Sequence, residues 1–566
     1  MKSCTKKSIS FVLISLIFFC LVFLAEGADR HTPVDVVAEK GMVAAAHPLA
    51  AQAGVEILKK GGNAIDAAVA TAFALNAAEP NASGLGGGGF MLIRFAKTGE
   101  IIVIDYREHA PLTATKDMFA SDQSKKELWT KLGGKASAVP GTLMGLSTAL
   151  EKYGTMTLTE VMAPAISYME EGFEITETFS DMIKSNFDKL TAWNDPDKIA
   201  YLKDGLPLET GDILVQADLA KTYREILDKG VGHLYGGELG KKIVDAVNAK
   251  GGIFSIDDFK AYQPYIRVPV KGNYRGYDIY SMPPPSSGGT HLIQILNIME
   301  NFDIANMGYL GPTHISVMAE AMKMAFSDRA KYMGDPGFVK DIPLEGLTSK
   351  EYANYLADQI DVRNPKQEIP AGEPATFEHQ STSHISVVDA EGNIVSLTQT
   401  INYFFGSGVI VPGVGIIMNN EMDDFSTSPT SVNAPEPGKI PLSSMSPTIV
   451  EKDGKPFMIL GTPGGTRIFT AMTQIISNVI DFGMNMDEAI EAPRMHCYSS
   501  AGKTKPIYCE SRIPSITIKT LRLLGNEVDV KGDYDLYFGG AQGIMVKDGV
   551  MYGGGDSRRD GVAIGY

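Results

Sequence analysis

Four stretches of this chain pair apolar, β-branched runs across a short polar turn, and no other feature restricts the fold as tightly. They are FMLIRFA-KTGE-IIVIDYRE (residues 90–108), TSHISVVD-AEGN-IVSLTQT (382–400), SPTIVEKDGKPFMILG (446–461) and IMVKDGVMYGG (544–554). Each reads as a β-hairpin, the third with Asp453-Gly454 at its turn. SGVIVPGVGIIM (407–418) reads as a further strand pair. Around these runs lie helical patterns. Residues 42–78 are Ala-rich and periodic, broken at Gly61-Gly62-Asn63, which predicts two packed helices joined by a glycine turn. Residues 150–350 are mostly helical in pattern, 466–482 form an amphipathic helix, and the polar stretch 361–380 reads as an exposed loop. Helices, strands, then strands and helices again predict an α+β chain whose sheets pack on each other with helices outside.

With 566 residues, 44% hydrophobic and 21% charged, the chain can bury a large core, which excludes a disordered polymer. A formal net charge of −16 excludes the basic footprint that a nucleic-acid partner needs. The first 27 residues have the layout of a cleaved signal peptide. Lys2, Lys6 and Lys7 form the positive end, an apolar run follows, and Ala25-Glu26-Gly27 offers small residues for cleavage. The run, of about 16 residues, is short of the ~20 that span a bilayer, and no later stretch reads as a span. The expected product is soluble and exported, periplasmic or secreted, with no stable membrane insertion once the signal is removed. Cys497 and Cys509 remain after the signal leaves, on two short strands around a polar turn. In an exported chain they permit a disulfide, or they are two separate buried thiols. Without a His pair at ligand spacing they do not make a metal site.

The run SGLGGGG (83–89) contains a formal G-x-G-x-x-G, but a helix pattern precedes it and a strand follows, the reverse of a dinucleotide fold. There is no Walker loop, no H-E-x-x-H and no G-x-S-x-G elbow. The segment that stands out is Gln380-Ser381-Thr382-Ser383-His384, where a polar loop meets a buried strand. His384 falls on the same strand face as Thr382 and reads as a packed or hydrogen-bonded strand histidine, not as a catalytic base.

Six separated segments, in order along 36–566, resemble the bacterial γ-glutamyltranspeptidases, members of the N-terminal-nucleophile hydrolases. They are IDYRE (104–108), TSHISVVD (382–389), TQTIN (398–402), NNEMDDFS (419–426), PLSSMSPTIV (441–450) and GTPGGTRI (461–468). The resemblance implies a four-layer αββα sandwich with additional helical regions in the large subunit. It also implies a precursor that cuts itself between Ser381 and Thr382, giving a large subunit of residues 28–381 and a small one of 382–566 intertwined as a heterodimer. Thr382 would be the nucleophile and its freed α-amine, with an unperturbed pKa of about 7.7–8.0, the base. Thr400 would orient the Thr382 hydroxyl, and Gly464-Gly465 would form the oxyanion hole.

The same resemblance gives Arg107 the substrate α-carboxylate, with Ser443 and Ser444 as donors beside it. Asn402, Glu421 and Asp424 become acceptors for the α-ammonium. The implied activity is transfer or hydrolysis of the γ-glutamyl group of glutathione or another γ-glutamyl amide through a threonine ester. Water, an amino acid or a peptide is the acceptor, and neither cofactor nor metal takes part. Two departures matter. Residues 427–440 (TSPTSVNAPEPGKI) lack the longer, aromatic-bearing insertion of lidded members, so an open site is expected, and Glu421 stands where some relatives have Gln. The open pocket leaves poly-γ-glutamate or glutaryl-amide hydrolysis as alternatives; a non-catalytic exported amino-acid-binding protein is the contrasting class.

Overall fold

A computed structural model describes residues 34–369, 381–500 and 502–566, Ser381 by its backbone alone. The expected signal peptide and Gln380 lie outside the described residues. Asp35–Tyr566 forms one compact unit.

Two seven-stranded antiparallel sheets carry it. The first runs, edge to edge, Val562–Gly565, Met42–Ala45, Ser381–Val388, Ile394–Asn402, Gly88–Arg94, Ile101–Asp105 and Tyr265–Arg267. The second runs Val36–Ala38, Val550–Gly555, Gln542–Lys547, Lys455–Gly461, Thr448–Lys452, Tyr277–Ser281 and Val270–Tyr274. All four predicted hairpins are present. The period of two along the strands builds two cores. Val43, Ala45, Met91, Ile93, Ile385, Val387, Val395 and Leu397 face the helices Pro48–Lys59 and Ala64–Ala78. Met42, Ala44, Phe90, Leu92 and Ile394 face the second sheet, whose strands contribute Ile459, Leu460 and Ile544. The helices Gly288–Met299, Pro312–Tyr332 and Ile468–Phe482 belong to that second core. Helices, sheet, sheet, helices is the predicted four-layer αββα order.

The seam between the sheets is polar. His384 is fully buried, with Nδ1 2.9 Å from Thr398 Oγ1 and Nε2 3.1 Å from Ser386 Oγ. Its ring leaves no room for a Cβ on Gly461 of the opposite sheet. Ser396 Oγ donates to Leu460 O at 3.3 Å and accepts from Thr448 N–H at 3.0 Å. The two Ser396 bonds cross the seam and fix one sheet's register on the other.

The glycine run 83–89 has a packing role. A Cβ on Gly87 would lie 1.9 Å from Thr400 O, and one on Gly86 2.0 Å from Ile417 O. Only glycine lets this segment approach the Thr400 strand so closely.

Four expectations need correcting. The stretch 42–78, read as two helices, opens with the strand Met42–Ala45, and its first helix starts at Pro48. Residues 265–281, inside the stretch 150–350 read as mostly helical patterns with loops, are three strands, the last two joined by a turn at Arg275 and Gly276, both at positive φ. The strand pair at 407–418 is reduced to one bridge, Ile410 to Ile417, because Gly408, Gly413 and Gly415 sit at positive φ and break the ladder. The disulfide alternative is not realised: Cys497 and Cys509 are two buried free thiols. Cys509 pairs across the strands with Met495, so Cys497 does not face it. Burial pushes both thiols up to about 11.

Candidate active site

Thr382 stands at the entry of the strand Ser381–Val388, where a register irregularity between Ser381 and Ser383 lifts it out of the regular ladder. Its hydroxyl donates to Thr400 Oγ1 at 3.2 Å. Thr400 Oγ1 in turn accepts the Asn402 N–H at 2.8 Å, where the strand ends with Asn402 at φ 73°. Asn is among the residues that tolerate this left-handed turn, which takes the chain out of the sheet. The Asn402 amide donates to Asn420 O at 3.0 Å and so ties that turn to the 420s.

A cleft lined by Thr382 and Thr400 also takes in Arg107, Asn402, Glu421, Asp424, Ser443, Ser444, Met445 and Ile468. Of the residues matched by resemblance to catalysis and substrate recognition, all but Gly464 and Gly465 line it. The two glycines occupy the turn between the strand Lys455–Gly461 and the helix Ile468–Phe482, both at positive φ, and that helix's first residue reaches the cleft.

Arg107 follows the strand Ile101–Asp105. Its N–H donates to Asp105 Oδ1 at 3.0 Å and its carbonyl accepts from Tyr262 at 2.9 Å, so its backbone is held on both sides. The guanidinium is 1% exposed. It donates to Glu421 and, at 2.5 Å, to Asp424 Oδ2, with Glu108 Oε2 3.6 Å away. Burial works against its charge, but Glu421, Glu108 and Asp424 more than reverse that and hold its pKa above the ordinary value. The carboxylates bear the complementary strain. Burial pushes Asp424 up to about 6 and Glu108 up to about 7, and lifts Glu421 well above its usual range, each against the pull of Arg107. One guanidinium thus faces three buried carboxyls. Arg107 Nε, Glu421 Oε2 and both Glu108 oxygens are buried without a hydrogen-bond partner among the described residues.

Asp423 and Asp424 are not the solvated turn that two adjacent aspartates suggest. Both are buried in the short helix Glu421–Asp424 and point apart, Asp423 accepting from Tyr403 at 2.7 Å. The loop 427–440 folds on itself, with Ser426 N–H donating to Asn433 O at 2.8 Å. From it the Asn433 amide braces the Asp424 carbonyl at 2.7 Å.

Sequence reading missed Arg329. From the helix Pro312–Tyr332 it donates to Ser287 Oγ at 2.8 Å and Ser444 Oγ at 3.1 Å, while Ser287 donates to Ser443 O through both its N–H and its hydroxyl. The serine pair is therefore held from behind by a buried cation whose pKa burial lowers to about 10. The available signal was an arginine inside an otherwise buried helical stretch. His384, two residues on from Thr382, does not line the cleft; burial lowers its pKa to about 3 and leaves it neutral in the seam.

Comparison with known proteins agrees with this geometry. The chain matches the family model for gamma-glutamyltranspeptidase over residues 50–566. It is 45% identical over 558 residues to the glutathione hydrolase proenzyme of Escherichia coli (strain K12), covering 95% of this chain and 94% of that one. The glutathione hydrolase proenzyme of Bacillus subtilis (strain 168) is 39% identical over 559 residues, covering 95% and 93%. Among solved structures, cephalosporin acylase from Bacillus halodurans superposes with a TM-score of 0.85 at 32% identity, over 95% of this chain and 98% of that one. Sequence, fold and the contents of the cleft converge: the chain belongs to the gamma-glutamyltranspeptidase family.

Proposed function

We propose that this protein is made as a proenzyme, cleaves itself between Ser381 and Thr382, and then transfers or hydrolyses γ-glutamyl groups, glutathione being the natural type of donor. The observation that carries the reading is the cleft itself. A threonine hydroxyl, oriented by a second threonine at 3.2 Å, shares it with a guanidinium, a set of buried acceptors and a serine pair.

A γ-glutamyl donor presents an α-carboxylate and an α-ammonium at the end remote from its reacting carbonyl. Burying either unpaired is costly, so the pocket must answer both. Arg107 offers a fork to the carboxylate, beside Ser443 and Ser444. Glu421, Asp424 and Asn402 offer acceptors to the ammonium. In the free protein Arg107 and the two acids bond each other, so the substrate exchanges one set of ion pairs for another.

Cleavage is needed because a threonine hydroxyl is a weak nucleophile without an adjacent base. Freeing the Thr382 nitrogen supplies an amine that takes the hydroxyl proton as Oγ attacks the γ-carbonyl. Backbone N–H groups of Gly464 and Gly465, ahead of a helix start, are the candidates to receive the developing oxyanion. The amine returns its proton to the leaving nitrogen, and a γ-glutamyl ester remains on Thr382. Water releases glutamate from it; an amino acid or peptide amine takes the γ-glutamyl group instead.

The likeness to a cephalosporin acylase supports one second reading, acylase activity on a different amide, for which a glutaryl amide is the candidate class. A glutaryl group lacks the amine, and the retained acid cluster favours the glutamyl substrate. The short loop 427–440, with no aromatic residue, is the ground for larger donors; in the uncut chain the residues lining the cleft are all buried. The leading residues 1–27 fit export as a signal peptide, and among the described residues no helix is long and apolar enough to cross a membrane.

Mass spectrometry after a brief pulse of γ-glutamyl-p-nitroanilide tests the proposal. A small subunit beginning Thr-Ser-His-Ile and heavier by one γ-glutamyl group on Thr382 is expected. A single uncut chain in active protein, or a label on another residue, overturns it.

A further inference from the structure

Thr400 holds the side chain of Thr382, but a different group holds its backbone. Arg559 Nη1 donates to the Thr382 carbonyl at 2.9 Å and stands 3.3 Å from Glu79 Oε1. The other oxygen of Glu79 accepts the Ser383 hydroxyl. Arg559 and Glu79 are 5% and 8% exposed. Three distant segments meet here. Glu79 caps the C-terminus of the helix Ala64–Ala78, Thr382 and Ser383 open the central strand, and Arg559 lies just before the last strand, Val562–Gly565. Neither Glu79 nor Arg559 lines the cleft that contains Arg107; they border a separate small cavity with His47, Met182 and Asp560.

The neighbouring arginine, Arg558, points elsewhere and is tied to Glu510 and Asp556, away from Thr382. A buried ion pair is by itself weak evidence for a stabilising role. What sets Arg559 apart is the atom it reaches. Because of the register irregularity, Ser383, opposite Gln399, is the first residue of the regular ladder, so Thr382 does not share in it. Once the Ser381–Thr382 bond is broken, Thr382 becomes a chain end, and chain ends fray unless tied down.

We propose that Arg559, held by Glu79, is a positioning residue for Thr382. By gripping the Thr382 carbonyl while Ser383 is anchored to the same carboxylate, the pair fixes the peptide plane between residues 382 and 383. Thr382 then keeps only its own side-chain and terminal rotations, and its hydroxyl stays turned toward Thr400. The inference rests on the reading of Thr382 as nucleophile and new N-terminus. A nucleophile misplaced by 1 Å loses about 10²-fold in rate, which sets the scale of the effect.

The test compares full-length wild type, Arg559→Gln, Arg559→Lys and Ser383→Ala for kcat and KM on γ-glutamyl-p-nitroanilide, extent of self-cleavage, and melting temperature. Arg559→Gln should lower kcat about 10- to 100-fold while KM stays within about two-fold, since the clamp for the substrate is untouched. Arg559→Lys, which keeps a charged donor, should recover a measurable part of the loss. If Arg559→Gln does not fold or cleave, Ser383→Ala carries the test, with an expected fall in kcat of about three- to ten-fold at unchanged KM. Equal kcat in wild type and Arg559→Gln overturns the proposal, as does a loss shared equally by KM, a lysine variant no better than glutamine, or, where Ser383→Ala carries the test, unchanged kcat. A wild type that cleaves but does not release p-nitroaniline would instead refute the γ-glutamyl reading. Slower self-cleavage in Arg559→Gln would then still decide for Arg559, and equal cleavage against it.

Discussion

Two regions of this molecule bury polar groups, and they do it in opposite ways. In the seam between the sheets the central polar side chains are answered: His384 by Thr398 and Ser386, Ser396 by Leu460 and Thr448. In the cleft, one guanidinium faces three carboxyls and several buried atoms are left without a hydrogen bond among the described residues. A satisfied network adds rigidity and needs nothing further. An unbalanced one raises its own free energy, and a ligand with complementary charge lowers it. The difference between seam and cleft separates a structural histidine from the arginine proposed to bind substrate, although both are fully buried.

The largest expected effect comes from the proposed nucleophile. Thr382→Ala removes the hydroxyl proposed both to attack the substrate and to start self-cleavage. The chain should run as one uncut band on a denaturing gel and release no p-nitroaniline. Normal turnover by this variant would end the assignment of the cleft.

Arg107→Ala comes next. Removing one partner of a buried charge set costs about 2–4 kcal/mol when the other charges stay buried. The loss should fall on KM for γ-glutamyl donors, with kcat much less affected. A variant with unchanged KM would mean that the imbalance in the cleft is not what recognises substrate.

The seam predicts the reverse pattern. His384→Gln leaves Thr398 and Ser386 imperfectly partnered, a loss of about 1–3 kcal/mol in stability. Melting temperature should drop while kcat per folded enzyme holds. A collapse of kcat at intact melting temperature would make His384 a base and erase the distinction between the two regions.

This contrast also marks what could be read from the sequence. The central hairpins were legible because alternation and turn residues are local signals: Ile385, Val387, Val395 and Leu397 face the helices as a period of two requires. The strands at 265–281 were not, because they lie toward the sheet edges, are half-exposed, and turn at Arg275-Gly276 instead of an Asn-Gly or Asp-Gly pair. Arg107, Thr382, Thr400 and the 420s were legible only through resemblance, since nothing in their spacing brings them to one cleft. Glu79 and Arg559 were invisible in either way. They are 480 positions apart, and each alone is an ordinary charged residue. Arg329 and Asn433 were missed for a related reason, because they act by holding Ser444 and Asp424 and carry no motif of their own.

The smallest predicted effect is a pH dependence, and its sign follows from burial. Desolvation raises Asp424 to about 6 even beside Arg107. Above that pH the carboxyl is ionised and can pair with a substrate ammonium; below it the proton removes the charge. KM for a γ-glutamyl donor should therefore rise as pH falls through about 6. Glu108, raised to about 7, adds to the same trend by weakening the acid cluster from a higher pH. A glutaryl amide has no ammonium to lose, so its KM should lack the component that comes from this pairing. Asp424→Asn should raise KM for the glutamyl donor at pH 8 and flatten its dependence near 6. The seam offers the control: His384 is neutral throughout this range, so His384→Gln should leave the profile where it was. A glutaryl profile that tracks the glutamyl one would show that the acids serve Arg107 alone, and the imbalance in the cleft would then be a structural cost with no partner in the substrate.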